Sequence, residues 1–314
     1  MTLSTPEVIC THESDLDGLV SGLLLQRLAR HLFGAEVQIE AFHYQGWKMR
    51  QMSEDVAWVA DFAADQRIDR PHWLVVDHHQ SEYRPKTAQF AYDINKSAAL
   101  LCYELCAPHG LATPTLDRLV RLTHVGDLFL ENDPDFDLAC DYAALVKTYG
   151  FWNLHAVIGG DPEKLVDHPL LEVVGVRRRV EDPIGYELAL HDVVEISPTV
   201  GLVRAPIGNS NLIVHRMLNQ GATKYPVLAT LYRRGAGVYV ASFRSRGGEA
   251  LKVAARFDGG GGHANASGAT LPRQNDLDAA IAHLRQRLNP PPTSQRDGLN
   301  PVAGALSGLQ WPGR

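Results

Sequence analysis

EVICTHESDLDGLVSGLLLQRLARHLF, residues 7–33, opens the first folding unit of the chain and sets its class. The short apolar run EVIC, residues 7–10, stops at the polar string Thr11–Gly18. From Leu19 the apolar residues recur at Leu23, Leu24, Leu28 and Leu32, the spacing of one helix face. Strand, polar loop and helix in that order form the start of a βα unit. Two further apolar runs follow: VAWVA, residues 56–60, ends at Asp61, and WLVV, residues 73–76, ends at Asp77. Continuous apolar strands separated by helical segments predict a parallel sheet buried on both faces. Ligands of such sheets gather beyond the carboxyl ends of the strands. His12, Asp15, Asp17, Asp61, Asp77, His78 and His79 all fall there.

Further along, 97–106, 116–130 and 142–158 read as helices, and 162–194 as helix and linker broken near Pro183. From Thr199 the texture changes to short β-like runs at Val200–Val203, Pro226–Tyr232 and Gly237–Ser242, with helices at 251–257 and 277–288. The expected fold class is α/β: a parallel-sheet catalytic domain over 1–180, a linker over 181–198, and a smaller α/β substrate-binding domain over 199–289. The Pro- and Gly-rich tail, 290–314, is expected to be disordered. Charge divides along the same line. Residues 1–195 carry a net −15 and residues 196–289 a net +8, within an overall −6. An acidic half suits cation binding and a basic half suits phosphate.

Composition removes several classes. No apolar run approaches the roughly 20 residues that span a membrane. The N-terminus has no basic segment followed by an apolar one, so a cytoplasmic location is expected. Cys10, Cys102, Cys106 and Cys140 form no CxxC pair, which argues for reduced, buried thiols over a zinc site.

Three clusters carry chemistry. In THESDLDG, residues 11–18, alternate carboxylates beside a histidine in a loop after a strand can converge on divalent ions; capping acids at a helix start are the plain alternative. In Asp77-His78-His79, successive side chains of an extended backbone point in different directions. One imidazole can then coordinate a metal while the next meets substrate, with Asp77 orienting a histidine. Asp61 and Asp127 gain weight because a two-metal site needs several carboxylates, one of them bridging. The third cluster is DGGGGHANASG, residues 258–268. Here bare backbone N–H groups at Gly260, Gly261 and Gly262 allow close approach of a phosphate, with His263 adjacent. Arg244 and Ser245, at the end of GVYVASF, add a guanidinium fork and a hydroxyl.

Taken together, these motifs resemble the DHH phosphoesterases that carry the DHH-associated C-terminal domain with a GGGH signature, over about residues 8–275. That group includes single-strand exonucleases, short-RNA nucleases, adenosine bisphosphate phosphatases and dinucleotide phosphodiesterases. The resemblance implies one metal held by His12, Asp15 and Asp61, and another held by Asp17, Asp61, His78 and Asp127, with Asp61 bridging. It also implies that His79 contacts the scissile phosphate and that Arg244, Ser245 and His263 hold substrate. Relatives often place the first histidine two or four residues before the first motif aspartate. Here the spacing is three, which leaves Glu13 as an alternative ligand to His12. Asp55 and Asp65 are rivals of Asp61.

The function expected is hydrolysis of a phosphodiester or phosphomonoester in a short oligonucleotide or small nucleotide, with two divalent ions activating water. Manganese is placed first because of the histidine ligands, with magnesium or cobalt as alternatives. Alternatives to that function are a cyclic or linear dinucleotide phosphodiesterase, a pyrophosphatase-like enzyme and a non-catalytic nucleotide-binding protein. No membrane partner is expected, and a homodimer is open.

Overall fold

Thr11 and Gly18 explain how the first strand turns into the first helix. Strand β1 (Val8–His12) leads into α1 (Leu16–Phe33). The Thr11 hydroxyl donates to the Gly18 carbonyl at 2.6 Å, and the Asp15 carboxylate caps the helix by accepting from the Gly18 N–H at 3.0 Å. A Cβ on Gly18 would lie 2.0 Å from the His12 carbonyl oxygen, so only glycine lets the helix start this close to the strand end.

The computed structural model describes residues 3–204, 207–235 and 237–289; the expected disordered tail, 290–314, lies outside the described residues. After α1 come β2 (Gln38–Phe42), α2 (Tyr44–Met49), β3 (Ala57–Ala60), β4 (Leu74–Asp77) and β5 (Gln89–Tyr92). All five strands are parallel, in the order β2-β1-β3-β4-β5. Strands β1, β3 and β4 are buried along their whole length, as their unbroken apolar runs require. One face of the sheet packs on α1, α3 (Ala98–Cys106), α4 (Pro114–Asp127), α5 (Phe136–Tyr149) and α6 (Phe151–Ile158). The other face is covered around Trp47, Phe62 and Trp73.

The expected helix over 142–158 is two helices, because Gly150 at φ 82° turns the chain between α5 and α6. The stretch 181–198 is not a free linker. A single helix, α7 (Leu170–His191), runs through Pro183, and β6 (Val193–Ser197) follows at once. An internal proline costs about 3 kcal/mol. Packing offsets that cost: Val174 belongs to the first core, Tyr186 and Ala189 pack with Ile213 and Val214, and Arg178 pairs with Asp141 at 2.7 Å.

The second sheet is mixed. Its strands are β6, β7 (Val200–Val203), β8 (Val227–Gly235), β9 (Val238–Ser245), β10 (Gly261–Gly262) and β11 (Ala266–Thr270), in the order β10-β11-β9-β8-β7-β6. Only β7 and β8 pair in parallel among the described strands of this sheet. Helices α8 (Ser210–Asn219), α9 (Glu249–Ala254) and α10 (Leu277–Leu288) complete it, with Phe243, Leu202 and Leu284 in its core. No helix among the described residues is long and apolar enough to cross a membrane.

The Gly18 contact yields a stability test. Gly18→Ala is expected to destabilise the protein by about 3 kcal/mol, the scale of severe core strain. At Gly46 an added methyl meets only the Phe42 ring at 3.8 Å, so Gly46→Ala is expected to leave the melting temperature unchanged or higher. Thermal denaturation of both variants decides it, and equal melting temperatures would contradict the packing argument.

Candidate metal centre

The carboxyl ends of β1, β3 and β4 deliver His12, Asp61 and Asp77 to one edge of the sheet. Asp61 directly follows β3 with φ 60°, a backbone region that non-glycine residues rarely occupy, and its N–H donates to Val76 O at 3.0 Å. In that conformation its two oxygens face different partners. Oδ2 lies 3.5 Å from His12 Nδ1, and Oδ1 lies 3.4 Å from His78 Nε2.

Around this shared carboxylate the other side chains sort into groups. His12, Asp15 and Asp61 form one, with His12 Nδ1 2.7 Å from Asp15 Oδ2. Asp17, His78 and Asp127 form another, with His78 Nε2 3.7 Å from Asp17 Oδ2 and 3.5 Å from Asp127 Oδ2. Asp61, His78 and His79 make a third combination within the same span. His12, Asp17, Asp61 and His78 are buried, and Asp15 and Asp127 are half-buried. Asp17 is aimed by the start of α3, whose Ala98 and Ala99 N–H groups donate to its oxygens at 2.8 and 2.9 Å.

The cluster concentrates negative charge in a buried place. Burial, then the neighbouring Asp61, pushes Asp17 up to about 7. Burial and Asp17 hold Asp127 well above the carboxylate range. Burial works against a charged His78, but Asp61, Asp127 and Asp17 outweigh it and raise the imidazole to about 10. For Asp61 burial also acts upward, and the imidazoles of His12 and His78 overcome it, keeping the carboxyl below its ordinary range. Asp61 Oδ2 and Asp127 Oδ2 are buried and make no hydrogen bond, which is costly for an acceptor unless something else satisfies it. A divalent ion fits this donor set of carboxylate oxygens and imidazole nitrogens.

Asp77 and His79 stand beside the cluster. Asp77 Oδ1 accepts from the His79 N–H and lies 2.9 Å from His79 Nδ1, while Oδ2 accepts from Ala64 N at 3.2 Å. The second domain reaches over this point. The His263 ring lies 5.8 Å from that of His79, tilted by only 17°, and 5.7 Å from that of His78. Burial, then the nearby His79, lowers His263 to about 4, so its ring is neutral at pH 7.

Two glycines of the run are required by the turn that carries His263. A Cβ on Gly260 would meet Ala254 O at 2.0 Å, and one on Gly262, at φ 130°, would meet Ala266 O at 2.7 Å. Gly261 has open space beside it. Arg244 has no ion pair among the described residues; its Nη1 donates to Ser242 Oγ and Phe243 O, and burial lowers it to about 10. Ser245 is buried and its hydroxyl is engaged internally, accepting from Ala250 N at 3.0 Å and bonding Asn265 Oδ1 at 3.3 Å. These bonds tie the end of β9 to the Asn265 turn and to the start of α9.

Among the rivals, Glu13 pairs with His43 at 3.2 Å and Asp65 with Arg67 at 2.7 Å. Neither they nor Asp55 belongs to a ligand group among the described residues. Sequence reasoning missed Tyr44, whose hydroxyl lies 2.8 Å from His79 Nε2 and whose ring sits 4.7 Å from that of His12. The only available signal was its place just after β2, a strand that the sequence pattern did not reveal.

Residues 201–289 match the family described as the DHHA1 domain. No curated protein matches the sequence. Among solved structures, the pGpG-specific phosphodiesterase PggH from Vibrio cholerae shares the fold: 16% identity, 90% of this chain and 98% of that chain covered, TM-score 0.51. An exopolyphosphatase-related protein from Bacteroides fragilis aligns at 16% identity over 90% of this chain and 93% of that chain, with TM-score 0.45. RecJ from Thermus thermophilus, in complex with Mg2+, aligns at 18% over 90% of this chain and 48% of that chain, with TM-score 0.44. The C-terminal residues 201–289 thus carry a DHHA1 domain, and over 90% of the chain the fold is shared with that of PggH.

Because the two imidazoles have different partners, their removal is expected to have different consequences. In a manganese titration by calorimetry, His78→Ala is expected to weaken binding by at least about tenfold, the effect of losing a direct ligand or its close support. His79→Ala is expected to keep binding within about threefold of wild type, since Asp77 already occupies Nδ1. Equal losses would contradict the separation of roles.

Proposed function

We propose that this chain is a hydrolase of phosphate ester bonds acting on short oligonucleotides or small nucleotides, with two divalent ions, manganese first among them, at the Asp61 cluster. The observation that carries the reading is the division of the Asp61 carboxylate between His12 and His78, each backed by further acids. His12, Asp15 and Asp61 would hold one ion, and Asp17, Asp61, His78 and Asp127 the other. Bound there, such ions supply Lewis-acid polarisation of the phosphate and a water made nucleophilic at neutral pH.

The chain's own groups do the rest. His79, when protonated, donates through Nδ1 to Asp77 and offers Nε2 to a phosphate oxygen, displacing the Tyr44 hydroxyl that now lies beside it. Arg244 and His263 approach from the second domain, so substrate is enclosed between two walls and water is excluded around the reacting group. Arg244 offers a planar fork to the phosphate, which a lysine does not reproduce.

A site between two domains of this size accommodates few nucleotides. Modules that grip long single strands need grooves with stacking aromatics, each spanning roughly 4–16 nucleotides. In the basic half, Tyr239, Phe243 and Phe257 are core residues and Tyr225 is buried, which leaves Tyr232 exposed. The fold neighbour PggH is a pGpG-specific phosphodiesterase, in keeping with a small substrate.

Two measurements test this reading. With manganese present, catalytic efficiency on RNA and DNA is expected to peak at about two to five nucleotides; a steady rise with length up to about 24 would contradict it. Arg244→Lys and His263→Ala are expected to lower catalytic efficiency by about tenfold or more while metal affinity stays unchanged. Unchanged kinetics in both would remove the second domain from substrate handling.

A further inference from the structure

Helix α7 buries one face, and on the opposite face, among the described residues, it carries half-exposed apolar side chains with Arg177 and Glu187 interspersed. Val174, Gly175, Gly185, Tyr186 and Ala189 are buried against the two domains. Val173, Val176, Val180, Ile184 and Leu188 are each between 49% and 55% exposed. At 100° per residue these five centre on the side of the helix away from the buried set. Together they present on the order of 400 Å² of apolar surface, within the size range of the largest and often functional patch on a single chain.

We propose that this stripe is the dimerisation surface of the protein and that its occupant is α7 of a second copy, packed antiparallel about a twofold axis at Val180. Charge pattern and shape both favour this partner. With the axis at Val180, Val176 of one copy lies level with Ile184 of the other, and Val173 lies close to the level of Leu188. Arg177 and Glu181 occupy one flank of the stripe and pair with each other at 3.1 Å. Antiparallel docking sets Arg177 of each copy about 3 Å along the axis from Glu181 of the other, two residues of helical rise. The two intrahelical pairs then merge into a four-charge network across the axis. The two stripes together bury on the order of 800 Å², below the roughly 1,200–2,000 Å² of a standard interface. Self-association is therefore weak and concentration-dependent, in the micromolar range.

Sedimentation of the full chain tests the proposal. Wild type is expected to convert from monomer to dimer between about 1 and 100 µM, the range in which weak interfaces form. Ile184→Glu is expected to weaken association by at least about tenfold. Ile184 is half-exposed, so the monomer keeps its fold, and circular dichroism verifies this. Cross-linking reads the geometry, because all four native cysteines are buried. Val180→Cys is expected to form a disulfide with its own copy, and Val173→Cys is not expected to do so except when mixed with Leu188→Cys. A wild-type chain that stays monomeric throughout, or an Ile184→Glu chain that dimerises normally, would overturn the proposal. Self-linkage of Val173→Cys would overturn its antiparallel geometry.

Discussion

Four carboxylates, Asp15, Asp17, Asp61 and Asp127, converge at the end of one parallel sheet, and the rest of the site is arranged around their mutual repulsion. Two buried or half-buried charges at such range are costly in a protein interior, and four are tolerable only with positive partners. In the chain itself those partners are His12 and His78, whose imidazoles are raised toward the charged form although burial opposes it. Asp61 lies between the two and is the one carboxylate held in its ionised form by both. Its position depends on a strained φ of 60°, kept in place by the backbone bond to Val76 and the close packing of β3 and β4. On the reading proposed here, cations replace the protons that these groups otherwise compete for.

The second domain contributes through its reach. Gly260 and Gly262 shape a turn that carries His263 across to His78 and His79. The two halves also meet away from this point, where His215 and Asn219 of α8 bond Glu131 at 2.6 and 2.8 Å. Helix α7 joins the two halves as a continuous rod and holds them together through packing at both ends. The acidic half and the basic half of the sequence thus meet where His263 approaches His78 and His79. The charge division along the chain corresponds to a division in space.

Legibility in the sequence followed burial pattern. Strands β1, β3 and β4 are buried on both faces and end at charged residues, so their runs and their carboxyl ends could be read directly. His12, Asp15, Asp17, Asp61, His78 and Asp127 were named on that basis and on family resemblance, and they lie in the ligand groups around Asp61. Strands β2 and β5 are half-buried edges with mixed composition, so they left no clear run. Tyr44, placed by the end of β2, was therefore overlooked. Pro183 was read as a break because local chemistry says so, whereas packing at both ends keeps the helix continuous. Ser245 was read as a hydroxyl for substrate, and only the fold reveals that this hydroxyl also bonds Asn265 and Ala250.

On the reading proposed here, one carboxylate, Asp61, is shared by two metal positions. Electron paramagnetic resonance of the protein loaded with two equivalents of manganese tests it most directly. A bridged pair gives an exchange-coupled spectrum, and that spectrum should collapse to isolated six-line manganese in Asp61→Ala. An isolated six-line signal from the wild-type protein at full loading would contradict the shared carboxylate.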